Sequence, residues 1–304
     1  MTVHAWPSPA LVGSVVLLWL GAACSPASPT AIPGPASVAG PASGQSTPAG
    51  SGPPYRLDGT IEDAASADPV PGARVELLAD ATGSLPPIAV ATTGPDGRYR
   101  LDGVPAVSDI RVTQDGYVGT TARVELAGHS TRNVRLAWDS AYAFAGSYTL
   151  TIEADDACPS APQPLPAHLR RRTFLAEIQQ AGSRLTVSVA SPCYRDEWGG
   201  FGCRITGRAS TNGATFQLTT KGEDLGYAVA PDLVERLGWN IDLRTGLGDS
   251  SGLWFLGVAT THIVPNGLSG HLVGTITLHS WIFPAPNHPI IAGCGGGRFE
   301  MIGR

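Results

Sequence analysis

Residues 92–105 read TTGPDGRYRLDGVP, and two accounts of this stretch lead to different proteins. In one, Asp96, Arg98, Arg100 and Asp102 form a charged site. In the other, they are the turns and the wet face of a half-buried strand. Asp96-Gly97 has the chemistry of a tight turn, because Asp accepts backbone hydrogen bonds and Gly tolerates positive φ. The strand that follows places Arg98 and Arg100 on one face and Tyr99 and Leu101 on the other. Asp102-Gly103 then opens the next turn. The structural account uses every residue, whereas a site needs a pocket that alternation does not supply.

The same grammar recurs on both sides. Short alternating runs fall near 55–62, 73–79, 87–92, 97–102, 109–114, 119–126 and 131–137. They are separated by DPVPG (68–72), GPDG (94–97) and QDGY (114–117). Val75 shares a face with Leu77, and Ile110 with Val112. Turns every 8–12 residues without a helical period predict an antiparallel sandwich. Composition agrees: of 304 residues only 15% are charged, against 38 Gly and 26 Pro. The net charge of −5 provides no basic field for nucleic acid or for anionic membrane surfaces.

The ordered motifs LDGTI (57–61), PVPGARVEL (69–77), TGPDGRYRLDGVP (93–105), IRVTQDGY (110–117) and TRNVRL (131–136) resemble the carboxypeptidase regulatory-like domain. The resemblance covers 55–137 and implies a small transthyretin-like β-sandwich. It further implies an accessory module without catalytic residues of its own. The fold group also holds glycan-binding modules, which supports sugar binding by analogy alone.

A second body runs over 143–304. AFAGSYTLTIEA (143–154) alternates, and RTFLAEIQQAGSRLTVSVA (172–190) reads as a hairpin turning at Gly182-Ser183. Further strands are predicted at 201–208, 213–220, 225–230, 238–245, 252–262, 267–280 and 296–303. PDLVERLG (231–238) reads as a helical turn. About ten antiparallel strands predict closure into a barrel, which removes the edges. The order of an opening GSYTLTI strand, an early Cys, an IQQAGSRLTV hairpin and a late Cys after GTITL resembles a lipocalin- or avidin-like barrel. That likeness implies architecture and carries no site residues. The fold class is therefore all-β, a small sandwich followed by a disulfide-stapled barrel.

Residues 10–23 form an apolar run, ALVGSVVLLWLGAA, within the ~7–15 residues of a signal-peptide core and short of the ~20 that span a bilayer. Residues 1–23 are read as a signal peptide. The small residues before Cys24 resemble the lipobox of bacterial lipoproteins, although Gly21 stands where that pattern usually has Leu; this implies lipidation at Cys24. An ordinary secretory signal is the alternative. Residues 24–54 form a tether rich in Pro, Ala, Ser and Gly that cannot bury a core. The expectation is export to the bacterial cell envelope as an outer-membrane or cell-surface lipoprotein, otherwise a periplasmic or secreted protein. Contact with the membrane is expected through the lipid anchor only.

Five cysteines less Cys24 leave Cys158, Cys193, Cys203 and Cys294, and an even number in an exported chain reads as two disulfides. Of three pairings, Cys193–Cys203 lies within hairpin reach and Cys158–Cys294 joins the ends of the second body. These two are favoured.

Catalytic constellations are hard to find. The histidines show neither H-x-x-E nor H-E-x-x-H, and no C-x-x-C is present, so no metal and no cofactor are expected. GDSSG (248–252) lacks the contexts of a serine hydrolase and reads as a turn. Asp155-Asp156, Asp196-Glu197 and Glu223-Asp224 are neighbours that point apart, unlike the paired carboxylates of glycoside hydrolysis. Aromatic residues are the better clue. Tyr194, Trp198 and Phe201 lie in CYRDEWGGFGC (193–203), and Trp239, Trp254 and Trp281 lie in strands where they could line a barrel cavity. Packing is the competing role for each. The expected function is non-enzymatic: a surface lipoprotein presenting a barrel on a sandwich spacer. Its barrel would bind a ligand or partner, carbohydrate first, with a small apolar ligand or an envelope protein as other candidates. The alternatives are a purely structural envelope protein or, less favoured, an enzyme with an unrecognised site. No nucleic acid is expected.

Overall fold

Period-two alternation becomes strand along most of the chain. The computed structural model describes residues 55–155, 158, 163–190, 203–220, 230–242, 247–282 and 290–303. In the sandwich, β1 (Tyr55–Asp63), β4 (Arg98–Val104), β7 (Ser130–Thr131) and β8 (Val134–Leu136) form one sheet. The second sheet holds β2 (Arg74–Leu77), β3 (Ala89–Thr92), β5 (Val107–Thr113) and β6 (Thr120–Glu125), in the order β3-β2-β5-β6. Leu57, Ile61, Val75, Leu77, Leu101 and Ile110 fill the space between them.

The opening stretch forms the expected turn and strand, and Arg98, Tyr99 and Arg100 also line a surface hollow of about 730 Å³. Gly97 turns at φ +72°, and Tyr99 and Leu101 are buried. Arg98 and Arg100 stay exposed, the first 3.4 Å from Asp96 and the second 2.8 Å from Asp58. Such exposed pairs contribute under ~1 kcal/mol each.

The second body is built from β9 (Gly146–Ala154), β10 (Arg171–Ala181), β11 (Arg184–Ala190), β12 (Arg204–Ser210), β13 (Gly213–Gln217), β16 (Leu233–Asp242), β17 (Leu247–Val264), β18 (Gly267–Ile282), β19 (Ile290–Gly295) and β20 (Gly297–Gly303). A separate two-stranded ribbon, β14 (Thr219–Thr220) and β15 (Ala230–Pro231), interrupts them. The sheet runs β17-β13-β12-β11-β10-β9-β20-β18, and β18 pairs back to β17, closing an eight-strand barrel. β16 and β13 lie along the same side of β17, and β19 and β20 along the same side of β18. Two of the barrel's eight lines are thus broken in the middle.

Three local expectations change. Residues 233–242 are strand, because Leu233 and Glu235 point inward in alternation with outward Val234. Asp249, Ser250, Ser251 and Gly252 lie within β17 and are not a turn. β19 was not foreseen, since Gly-rich IIAGCG carries no alternation. The structure joins Cys158 to Cys294. Cys203 is also disulfide-bonded, and its expected partner Cys193 lies outside the described residues.

The lumen is packed with the barrel's own side chains. Phe216 stacks on Phe299 at 5.4 Å between centroids, and Phe174 meets Phe255 edge-on at 5.9 Å. Ile152, Leu185, Val187, Ile205, Leu268 and Met301 close around them.

Two carboxylates of the sandwich, Asp63 and Asp68, reach the barrel. Asp63, at the end of β1, is fully buried. One oxygen accepts from the backbone N–H groups of Ala65 and Ser66 at 2.9 and 3.1 Å. The other accepts from the Tyr117 hydroxyl at 3.0 Å and from the Ser183 N–H, in the β10–β11 turn, at 2.9 Å. Gly182 supplies that turn at φ +62°, and a Cβ there would lie 2.0 Å from the Asp63 oxygens. Beside it, Asp68 binds Arg184 through both carboxylate oxygens and lies 3.3 Å from Arg208.

Asp63→Ala leaves the Ser183 N–H and the Tyr117 hydroxyl without an acceptor, so a loss of about 3 kcal/mol is expected in urea denaturation. Acid sensitivity follows from Asp68: burial raises its pKa, but the bonds and charges of Arg184 and Arg208 outweigh that and hold it below the ordinary value. A depressed folded pKa contributes stability that is present above the unfolded value of about 3.9 and lost as pH falls through the folded value. Melting temperatures recorded down to strongly acid pH should fall in that window, and less so in Asp68→Asn.

Candidate functional site

The junction that Asp63 holds also shapes a cleft of about 540 Å³. Backbone pairing between the 114–118 turn and the chain leaving β8 fixes its aromatic wall. Val118 N–H donates to Ala137 O, and Asp139 N–H to Gly116 O, each at 2.9 Å. Between these bonds Trp138 meets Tyr117 edge-on, 4.9 Å between centroids. The Trp138 Nε1–H donates to Tyr142 O at 3.1 Å. Burial pushes the Tyr117 hydroxyl pKa up to about 12, so it stays a donor to Asp63.

Opposite this wall stand Arg208 and Ser210 at the end of β12 and Thr211 of the turn that follows, with Gln114 and Asp115 at the rim. Two aromatics, a guanidinium, an amide, a carboxylate and hydroxyls around one concavity suit a ligand that both stacks and hydrogen-bonds. On the other side of Trp138 is an alanine-lined hollow of about 430 Å³, closed by Gln180 and Gly182. Gln180 is held by three bonds, accepting from Phe144 N–H at 2.6 Å and donating to Tyr142 O and Gly182 O.

At one end of the barrel a second polar feature is buried. Arg172, pointing inward from β10, binds Glu235 of β16 through both carboxylate oxygens, and Glu235 is 5% exposed. The bond to Glu235 raises the Arg172 pKa further. Both groups are satisfied, so the pair ties β16 across to β10 and leaves no open valence for chemistry. Among the described residues no three His, Cys, Asp or Glu side chains converge as a metal site.

The residues singled out from the sequence are not gathered here. Tyr194, Trp198 and Phe201 lie outside the described residues. Trp239 falls in β16 opposite Ser250, and Trp281 in β18; their side chains also lie outside. Trp254, expected at a lumen wall, points away from it. Its neighbours Leu253 and Phe255 fill the lumen, while Trp254 stacks on His279 at 4.0 Å. His279 Nε2 lies 2.9 Å from Thr277 Oγ1. Sequence reasoning missed Trp138. Its signal was a tryptophan in the short segment between the two predicted bodies, WDSAY (138–142).

Residues 56–138 match the carboxypeptidase regulatory-like domain family. No curated protein sequence is similar to this chain. Among solved structures, a DUF3823 family protein from Parabacteroides merdae is 14% identical, with 81% of this chain and 98% of that one covered and a TM-score of 0.28. A "putative carbohydrate binding protein" from Bacteroides uniformis is 10% identical, covering 83% and 100%, at 0.26. Fervidolysin from Fervidobacterium pennivorans, a keratinolytic enzyme related to subtilisin, is 15% identical, covering 83% of this chain and 31% of that one, at 0.23. Scores this low carry no argument about ligand or activity.

The buried ion pair makes a sharp prediction. Glu235→Gln alone leaves the half-buried Arg172 without its counter-charge and should cost about 1–3 kcal/mol in chemical denaturation. The double variant Arg172→Met with Glu235→Leu should recover most of that loss, because apolar side chains then fill the same end.

Proposed function

We propose that this is a non-enzymatic, exported binding protein, lipid-anchored at Cys24, that takes a carbohydrate ligand on its outer surface. The observation that carries this reading is the division between inside and outside. The lumen is filled by Phe174, Phe216, Phe255 and Phe299, while the cleft with two aromatics and many hydrogen-bonding groups lies outside, at the junction. A carrier of small apolar molecules would need the reverse. The sandwich serves as a rigid spacer, since Asp63 and Asp68 lock it to the barrel.

Sugars present apolar ring faces and rims of hydroxyls, which Trp138, Gln114, Asp115 and Arg208 match in kind. The packed lumen also favours a second reading, a structural envelope protein without a small ligand. Glycan arrays probed with residues 25–304 separate the two. Binding weakened at least about tenfold by Trp138→Ala, the loss of one good aromatic contact, supports the proposal. A flat array removes it. In a bacterial host the full chain should incorporate labelled palmitate and lose the label on Cys24→Ser; an unlabelled parent chain would overturn the anchor.

A further inference from the structure

The β12 sequence RITGRAS puts Arg204, Thr206 and Arg208 on the outside of the barrel, with Ile205 and Ala209 inside. Register sets Arg184 beside Arg208, Thr186 beside Thr206, Thr206 beside Gln217 and Arg208 beside Thr215. The result is a hollow of about 760 Å³ lined, among the described residues, by three arginines, three threonines and a glutamine. Placing guanidiniums directly across a ladder is unfavourable, and it happens here in a chain of net charge −5. Asp68 reaches over from the sandwich and neutralises one charge of the Arg184–Arg208 pair. That leaves three guanidiniums against one carboxylate. Glu177, the nearest acidic position by register, stands beyond Ser188 on β10.

Arg204 is the telling residue. It is exposed and, unlike Arg184 and Arg208, forms no ion pair with Asp68 or any other described residue. Arg208 lines both this hollow and the junction cleft. The two concavities therefore form one track along β12, along which Arg208 and Arg204 stand about 13 Å apart at ~3.3 Å per residue.

We propose that this track binds an acidic polysaccharide, with Arg204 and Arg208 holding successive carboxylate or sulfate groups and Thr186, Thr206, Thr215 and Gln217 meeting the hydroxyls between them. Guanidinium suits such planar, bidentate recognition. The proposal rests on the glycan reading above and names its ligand class.

Calorimetry on residues 25–304 tests it with oligogalacturonate and dextran sulfate as acidic probes, and maltohexaose and cellohexaose as neutral ones. The expected result is binding to an acidic probe that weakens with added salt and falls about tenfold or more in Arg204→Ala, one lost charge-assisted contact. The melting temperature should not move, because Arg204 has no ion-pair partner among the described residues. Whichever acidic probe binds more tightly identifies the anionic group. Equal affinity of Arg204→Ala and the parent chain overturns the proposal, as does equal affinity for duplex DNA. Neutral sugars bound through Trp138 with no acidic preference would overturn the track and leave the glycan reading standing. No binding to any sugar would overturn both.

Discussion

The architecture hangs on the Asp63 carboxylate. A fully buried carboxyl group is costly unless its lone pairs are met, and Asp63 meets four donors drawn from three parts of the chain. Two come from its own turn, which ends β1. One comes from Tyr117, 54 residues on, and thereby fixes the aromatic wall. One comes from Ser183, 120 residues on, and thereby seats the barrel. The same group thus terminates a strand, orders a cleft and joins two bodies. Gly182 is the matching constraint on the other side, since no side chain fits between that turn and the carboxylate.

Where function can reside follows from how the barrel is filled. A closed barrel of eight strands is just wide enough for its own side chains, and here large aromatic ones occupy it. Arg172 and Glu235 then close one end with a satisfied ion pair. Concave surface with polar side chains is thereby left to the outer faces and to the seam with the sandwich. Arg208 belongs to both settings, holding Asp68 while it faces the cleft.

Most of the strands were legible because each depends on its own neighbours in sequence. Tyr99 and Leu101 inward, Arg98 and Arg100 outward, followed from alternation alone, and Gly182-Ser183 announced its hairpin. What was hidden depends on distant partners. The role of Asp63 is decided by residues that no local pattern links to it. Residues 231–238 read as helical because DLVERL spaces its leucines at a helical interval, yet pairing with β17 over nine positions prevails. β19 escaped because glycines erase alternation, and Trp138 because the five residues between the bodies are too few to show a period. Trp254 shows the converse: an aromatic in a correctly read strand, whose side of the sheet was fixed only by barrel closure.

The pairing of β1 has a mechanical consequence. β1 is the first strand after residue 54, and it runs between an antiparallel neighbour, β4, and the parallel strands β7 and β8. Its far end is gripped by the barrel through Asp63. A load applied ahead of Tyr55 and resisted at the barrel acts along the axis of β1, across hydrogen bonds that lie roughly perpendicular to it. Those bonds are then sheared together instead of being peeled one by one. Under such a load the sandwich would pass tension to the barrel while giving up little chain.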